Sequence, residues 1–250
     1  MRPVDLTHTF TIHTPGWVGY PSAKLSYFQR HATHDIVSQL LELPLHSGTH
    51  FDGEFHIVSG GKDVASVPLD RLCREGVIVD LSDVVEDWSV IKPHHITDKM
   101  EVRRGDILIY HTGYHRYYNG GPEEDEVRYF CKHPGGGRAM AEWIVEMELA
   151  WTGFDCGSGD HPMNTSIRDK RPDVRAQYEA AMGGSVDDHW PREDIFVMHR
   201  VPFAAGITHL ENAGGDIEQV LNRRCVIGAF PIPIEGGEAS PCRLVAFVDD

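Results

Sequence analysis

The 250-residue chain has no apolar stretch long enough to cross a bilayer. Its longest runs, such as "ILIY" and "CVIGAF", are strand-length, against the roughly 20 residues that a spanning helix needs. The opening "MRPVDLTHTF" lacks the basic-then-apolar pattern of a secretory leader. Cysteine is scarce and scattered: Cys73, Cys131, Cys156, Cys225 and Cys242 are odd in number and form no C-x-x-C pair. That excludes a disulfide framework or a cysteine zinc site as the expectation and favours a reduced, cytoplasmic setting. Basic residues are also short, with 23 Lys+Arg against 38 Asp+Glu and a formal charge of −15. Nucleic-acid and anionic-membrane partners are therefore not expected, because both depend on basic groups meeting phosphates. The excess of negative charge serves solubility. Internal repeats, low-complexity tracts and obvious linkers are absent, so residues 1–250 read as a single domain.

The 41% of hydrophobic residues can build a substantial core. Short β-branched runs at 77–83, 106–113, 149–155, 195–200, 225–234 and 243–248 predict strands. Met140, Trp143, Ile144 and Met147 recur at i, i+3, i+4 and i+7, which predicts a helix over 138–148. Ile217, Val220 and Leu221 predict another over 216–222. The pattern is that of a mixed α/β domain with more sheet than helix. Residues 164–194 are polar, with a short helix around Val174, Tyr178 and Met182 stopped by Gly183-Gly184. This stretch reads as an insertion or lid, since long connections are often functional.

What is abundant is histidine in one place. "LPLHSGTHFDGEFHI" puts His46, His50, Asp52, Glu54 and His56 within eleven residues. A helix would turn Asp52 about 240° away from His46. A strand would align positions 46, 50, 52 and 56 but spread them over about 33 Å. Metal ligands must lie about 2.0–2.2 Å from one ion. The segment must therefore bend, with Gly48 and Gly53 as the flexible points and the alternating "IVSQLLELPL" as a strand leading into it. Desolvating so many ionisable groups is costly without a compensating ion. Imidazole plus carboxylate suits zinc, and manganese where oxygen ligands predominate. A second group, His199, His209 and Glu211 in "VMHRVPFAAGITHLENAGG", adds to this, with His199 placed at the end of a predicted strand.

These residues resemble a family. "HSGTHFDGEFH" is similar to the H-x-G-T-H-x-D-x-x-x-H signature of the cyclase-like metal-dependent hydrolases, which include bacterial kynurenine formamidase, isatin hydrolase and a metal-dependent γ-lactamase. "HRVPFAAGITHLEN" resembles the second motif, with His199 twelve residues before Glu211. "WVGYP" from Trp17 and "GFDCGSGD" from Gly153 resemble two weaker ones, so the likeness spans nearly the whole chain. It implies a swivelling β/β/α domain assembled as a homodimer or homotetramer. It implies His46, His50 and Asp52 as ligands of a first divalent ion, Zn2+ or Mn2+. His199 and Glu211 would complete a site for a second, with Asp52 and Glu211 able to bridge. His56 would be the acid/base and Trp17 a wall of the substrate pocket. The chain departs from the family at Gly53-Glu54, where Ala-Pro or Ser-Pro is common, and in the length of 164–194.

The implied reaction is hydrolysis of a non-peptide amide, either a cyclic amide or an N-formyl aryl amine. A lactone is the alternative, and a metal-binding protein without activity is the alternative of another class. A two-His-one-carboxylate iron site is also compatible with His46, His50 and Asp52. Ser47, Thr49 and Cys156 lack the G-x-S-x-G elbow of a nucleophile. "HPGGGRAMAEW" lacks the Lys-Ser/Thr of a phosphate loop and reads as a turn feeding a helix.

Overall fold

The structure, a computed structural model, describes residues 1–249. In chain order the strands are β1 (Arg2–Asp5), β2 (Lys24–Gln29), β3 (Ser38–Glu42), β4 (His50–Asp52), β5 (Cys73–Asp80), β6 (Val90–Ile91), β7 (Ile107–His111), β8 (Gly135–Gly136), β9 (Trp151–Phe154), β10 (Thr208–Glu211), β11 (Arg223–Pro231) and β12 (Ala239–Val248). Hydrogen bonding runs β12-β11-β5-β7-β9-β10-β4, and β4 returns to pair with β12. Seven strands thus close into a barrel, with β1 added along β12. The closure depends on the length of β12, whose residues 239–241 pair with β4 while 242–247 pair with β11.

Strands β5, β7, β9 and β10 are mutually parallel, so the helices sit in the crossovers between them. Their alternation sends Ile78, Ile107, Ile109, Trp151 and Leu210 into one core with Phe51, Ile227 and Leu244. The opposite faces, Val77, Val79, Leu108 and Tyr110, pack against Met140, Ala141 and Ile144 of the helix Arg138–Glu146. Strands covered on both sides read as unbroken apolar runs, which explains "VIVD" and "ILIY".

Two expectations need correction. Residues 195–200 form no strand: Val197–Ala204 is a helix, begun at Phe196 with φ 60°. Its buried side chains include Val197, Met198, Pro202 and Phe203, a helical spacing that a short apolar run does not distinguish from a strand. The segment 216–222 makes only a 3-10 turn, Ile217–Val220. Strand β3 exists, but it pairs with β2 in a hairpin apart from the barrel, with Leu25, Tyr27, Phe28, Leu40 and Leu41 exposed. Residues 164–194 hold the helix Pro172–Met182, ended at Gly183 with φ 72°. Its Val174 and Tyr178 are buried against Trp88, Phe130 and Trp190, while Met182 remains exposed. Among the described residues no helix is long and apolar enough to cross a membrane.

Candidate metal centre

After β3 the chain runs irregularly from Leu43 to Thr49 and turns at Gly48, whose φ is +65°. A side chain there would press on Phe10 at 3.2 Å, so the bend needs glycine for both conformation and space. Gly53 plays a different part from the one expected. Its backbone is extended, φ −89°, but a Cβ would lie 3.1 Å from Val64 N. His46 stands on the bend, His50 and Asp52 share a face of β4, and the 3-10 turn Glu54–His56 folds His56 back. Glu54 turns elsewhere, accepting from Lys62 N–H at 3.3 Å.

Strand β10 lies antiparallel to β4, with Glu211 opposite His50. His209 and Glu211 therefore face the first motif together. Asn212, at φ 59°, ties the two motifs: its amide donates to Gly48 O at 2.9 Å and its own carbonyl accepts from Thr49 Oγ1 at 2.6 Å. His199 enters from the helix Val197–Ala204. Its Nδ1 faces Asp160 Oδ2 at 2.7 Å, and Asp160 also accepts from Met198 N–H. Such a carboxylate behind the ring leaves Nε2 free to act inward.

Two half-sites result. In one, His46 Nδ1 lies 3.1 Å from both His50 Nε2 and Asp52 Oδ1, and His50 Nε2 lies 3.4 Å from Asp52 Oδ1 and 3.5 Å from Glu211 Oε2. In the other, His209 Nε2 lies 3.3 Å from Asp52 Oδ2 and from Glu211 Oε1, with His199 Nε2 at 3.8 and 3.7 Å from the same oxygens. Four ligands about 2.0–2.1 Å from a tetrahedral ion are separated by about 3.3–3.4 Å. Both half-sites are close to that spacing. Asp52 and Glu211 each give one oxygen to each half. Both Asp52 oxygens, Glu211 Oε1 and His209 Nε2 are buried without a hydrogen-bond partner, a condition a bound cation would relieve.

Protonation tells the same story. Burial disfavours charge on His46, yet Asp52 and Glu238 outweigh it and push the ring up to about 11. Burial likewise opposes charge on His209, and Asp52 and Glu211 push it up to about 9. Asp52 is held well below the carboxylate range against its burial, chiefly by His46 and His209, and Glu211 is lowered too. Each half-site thus favours positive charge, a role a bound cation would fill. The donor set fits two divalent ions.

Glu238 closes the outer side. Its Oε2 contacts His46 Nε2 and lies 3.0 Å from His56 Nδ1. Burial would raise this carboxyl, but the two rings hold it down at about 2. A cavity of about 240 Å³ opens over the cluster, walled by Trp17, Tyr20, Phe130 and Phe196, with His56 and Lys170 on its lining. Trp17 thus stands where a pocket wall was expected, and the 164–194 stretch adds Ser166 and Lys170.

All of His46, His50, Asp52, His56, His199 and Glu211 meet in space. Sequence reasoning grouped His209 with His199 and Glu211 without naming it among the metal ligands, and left out Glu238 altogether. For His209 a signal existed, since positions 209 and 211 share a strand face. Glu238 carried none, because only the pairing of Ala239 with Asp52 brings it near.

The family model described as "Putative cyclase" matches residues 4–161. The chain belongs to this cyclase family. No curated protein matches the cyclase chain. Among solved structures it resembles isatin hydrolase A from Ralstonia solanacearum, at 20% identity and a TM-score of 0.78, covering 99% of this chain and 92% of that one. Isatin hydrolase A from Labrenzia aggregata gives 18% identity and a TM-score of 0.79, over 100% and 94%. A predicted metal-dependent hydrolase from Bacillus stearothermophilus gives 17% and 0.68, over 98% and 97%. These likenesses establish the shared fold, the swivelling β/β/α type of the cyclase-like hydrolases.

Proposed function

We propose that this cyclase-family protein is a metal-dependent hydrolase of a small cyclic amide or N-formyl aryl amine. The observation that carries the reading is the pair of half-sites bridged by Asp52 and Glu211, opening into an aromatic-walled pocket. His46, His50 and Asp52, with Glu211, would hold one Zn2+ or Mn2+. Asp52, His199, His209 and Glu211 would hold the second. When bound, such ions polarise a carbonyl and make water nucleophilic at neutral pH.

The chain's own groups supply the rest. Trp17, Phe130 and Phe196 exclude water and stack a flat ring, and Lys170 at the rim suits a substrate or product with negative charge. His56 lines the pocket with Nδ1 on Glu238, so Nε2 is the nitrogen available to take a proton from water and return it to the departing amine. Glu238 fixes that tautomer and orients the ring. The isatin hydrolases noted above are named for a cyclic amide of a size this cavity admits. The apolar hairpin β2–β3 is exposed in the single chain, which supports assembly as a homodimer or homotetramer. Five free cysteines accord with the proposed cytoplasmic setting.

The test is a screen of isatin, N-formyl anilines, lactams, cyclic imides and lactones with chelated and metal-restored protein. Metal-dependent opening of an amide that His56→Gln loses, with metal content unchanged, is the expected result. Hydrolysis of lactones alone would overturn the amide assignment, and no metal-dependent turnover on any class would overturn the hydrolase.

A further inference from the structure

Asp80, His111 and Asp155 stand at the C-terminal ends of three adjacent parallel strands, β5, β7 and β9. His115 follows His111 by one short turn, Tyr114–Tyr117. None of these residues belongs to the centre around Asp52. His111 Nε2 lies 3.2 Å from His115 Nδ1 and 3.6 Å from Asp155 Oδ2, and His115 Nδ1 lies 3.3 Å from that same oxygen. Three ligand atoms at these spacings match one face of a tetrahedron around an ion about 2.0–2.1 Å away.

The far side of each ring carries a carboxylate. His111 Nδ1 lies 2.9 Å from Asp80 Oδ1, and His115 Nε2 lies 3.6 Å from Glu218 Oε1. A histidine that ligates metal almost always gives its other N–H to such a group, which fixes the tautomer. With the Nδ1 proton of His111 on Asp80, its Nε2 turns a lone pair toward His115 Nδ1 and Asp155 Oδ2, which together form a pocket for a cation. His111 and Asp155 are fully enclosed, and the Asp155 position is rigid. Its Oδ1 accepts from Thr112 N–H and Oγ1, both at 2.7 Å, and its Oδ2 from Gly113 N–H at 2.8 Å and His115 N–H at 3.4 Å. A cleft lined by His115, Arg116, Asp216 and Glu218 opens to solvent at the His115 edge of the cluster.

We propose that His111 Nε2, His115 Nδ1 and Asp155 Oδ2 bind a Zn2+ ion, separate from the candidate catalytic centre. The ion clamps the C-terminal ends of β7 and β9, with Asp80 of β5 behind it. It takes no part in the reaction.

The proposal is tested on the whole protein, stripped with a chelator and reloaded with stoichiometric Zn2+. Anomalous diffraction at the zinc edge should show a peak among these three atoms, distinct from any at Asp52. Metal analysis should find one ion fewer in His115→Ala than in the wild type, with metal-dependent hydrolysis retained. Absence of the peak would overturn the site. Equal ion counts in the two proteins would overturn it as well. Should the variant fail to fold, the wild-type diffraction decides alone. Because the zinc peak is read independently of turnover, it stands or falls apart from the hydrolase proposal.

Discussion

Two buried aspartates on the same barrel are held in opposite ways. Asp155 accepts four N–H or O–H groups from Thr112, Gly113 and His115. Asp52, equally buried, accepts no hydrogen bond at either oxygen and faces histidines and Glu211 instead. The first carboxylate satisfies backbone groups that would otherwise be orphaned, whether or not the proposed zinc sits beside its Oδ2. The second is incomplete without positive charge.

The sharpest way to break the comparison is to remove Asp52. Asp52→Ala takes one ligand from each half-site, so metal content should fall toward zero and turnover should vanish. Element analysis beside a kinetic assay reads both, and full occupancy with lost activity would refute its place as a bridge. Next in size is His56→Gln, which should keep the metal and lose about 10²–10⁴-fold in kcat, as general acid–base groups do. The loss should be greater on amides than on activated esters, whose leaving groups depart unprotonated.

The stability of the metal-free protein separates the two aspartates. Asp155→Ala should cost about 3 kcal/mol or more in urea unfolding, since it strands several buried donors at once. In the same assay Asp52→Asn should cost less than about 1–2 kcal/mol, since one of the two neighbouring histidines can shed its proton as the carboxylate charge is removed. Equal losses would mean that Asp52 is as structural as Asp155.

A third buried group supplies a pH control. His161 Nε2 meets Trp88 O at 3.0 Å, and Nδ1 accepts from Met163 N–H at 3.1 Å, so the ring is neutral as placed. Burial pushes it down to about 3, against 6.5 for a free histidine. Between those values the unfolded chain binds the extra proton, so stability is complete above about pH 6.5 and falls as the pH drops toward 3. The slope from this residue is about 1.4 kcal/mol per pH unit. Unfolding curves at pH 7, 6, 5 and 4 should show it, and His161→Asn should flatten it. The smallest effect is expected at Glu238→Gln. The metal should remain, and kcat should fall about tenfold with KM little changed, because His56 loses the carboxylate that orients it. An unchanged kcat would leave Glu238 merely structural.

Much of this protein was readable from the chain. The spacing of His46, His50, Asp52 and His56 demands a bend, since neither 3.6 nor 2 residues per repeat can gather them, and Gly48 supplies that bend at φ +65°. The unbroken apolar runs of β5 and β7 follow from coverage on both faces. Where His199 sits was not readable, because "IFVMHR" satisfies a strand and a helix equally and only packing against the barrel chose the helix. Tertiary structure alone decided the rest. It set His209 into the second half-site by pairing β10 with β4, and brought Glu238 to His46 and His56 through the pairing of β12 with β4. It also gathered Asp80, His111 and Asp155 from three strand ends that lie dozens of residues apart. A local motif records what must bend; long-range strand pairing, which no short window of sequence encodes, determines which distant side chains meet.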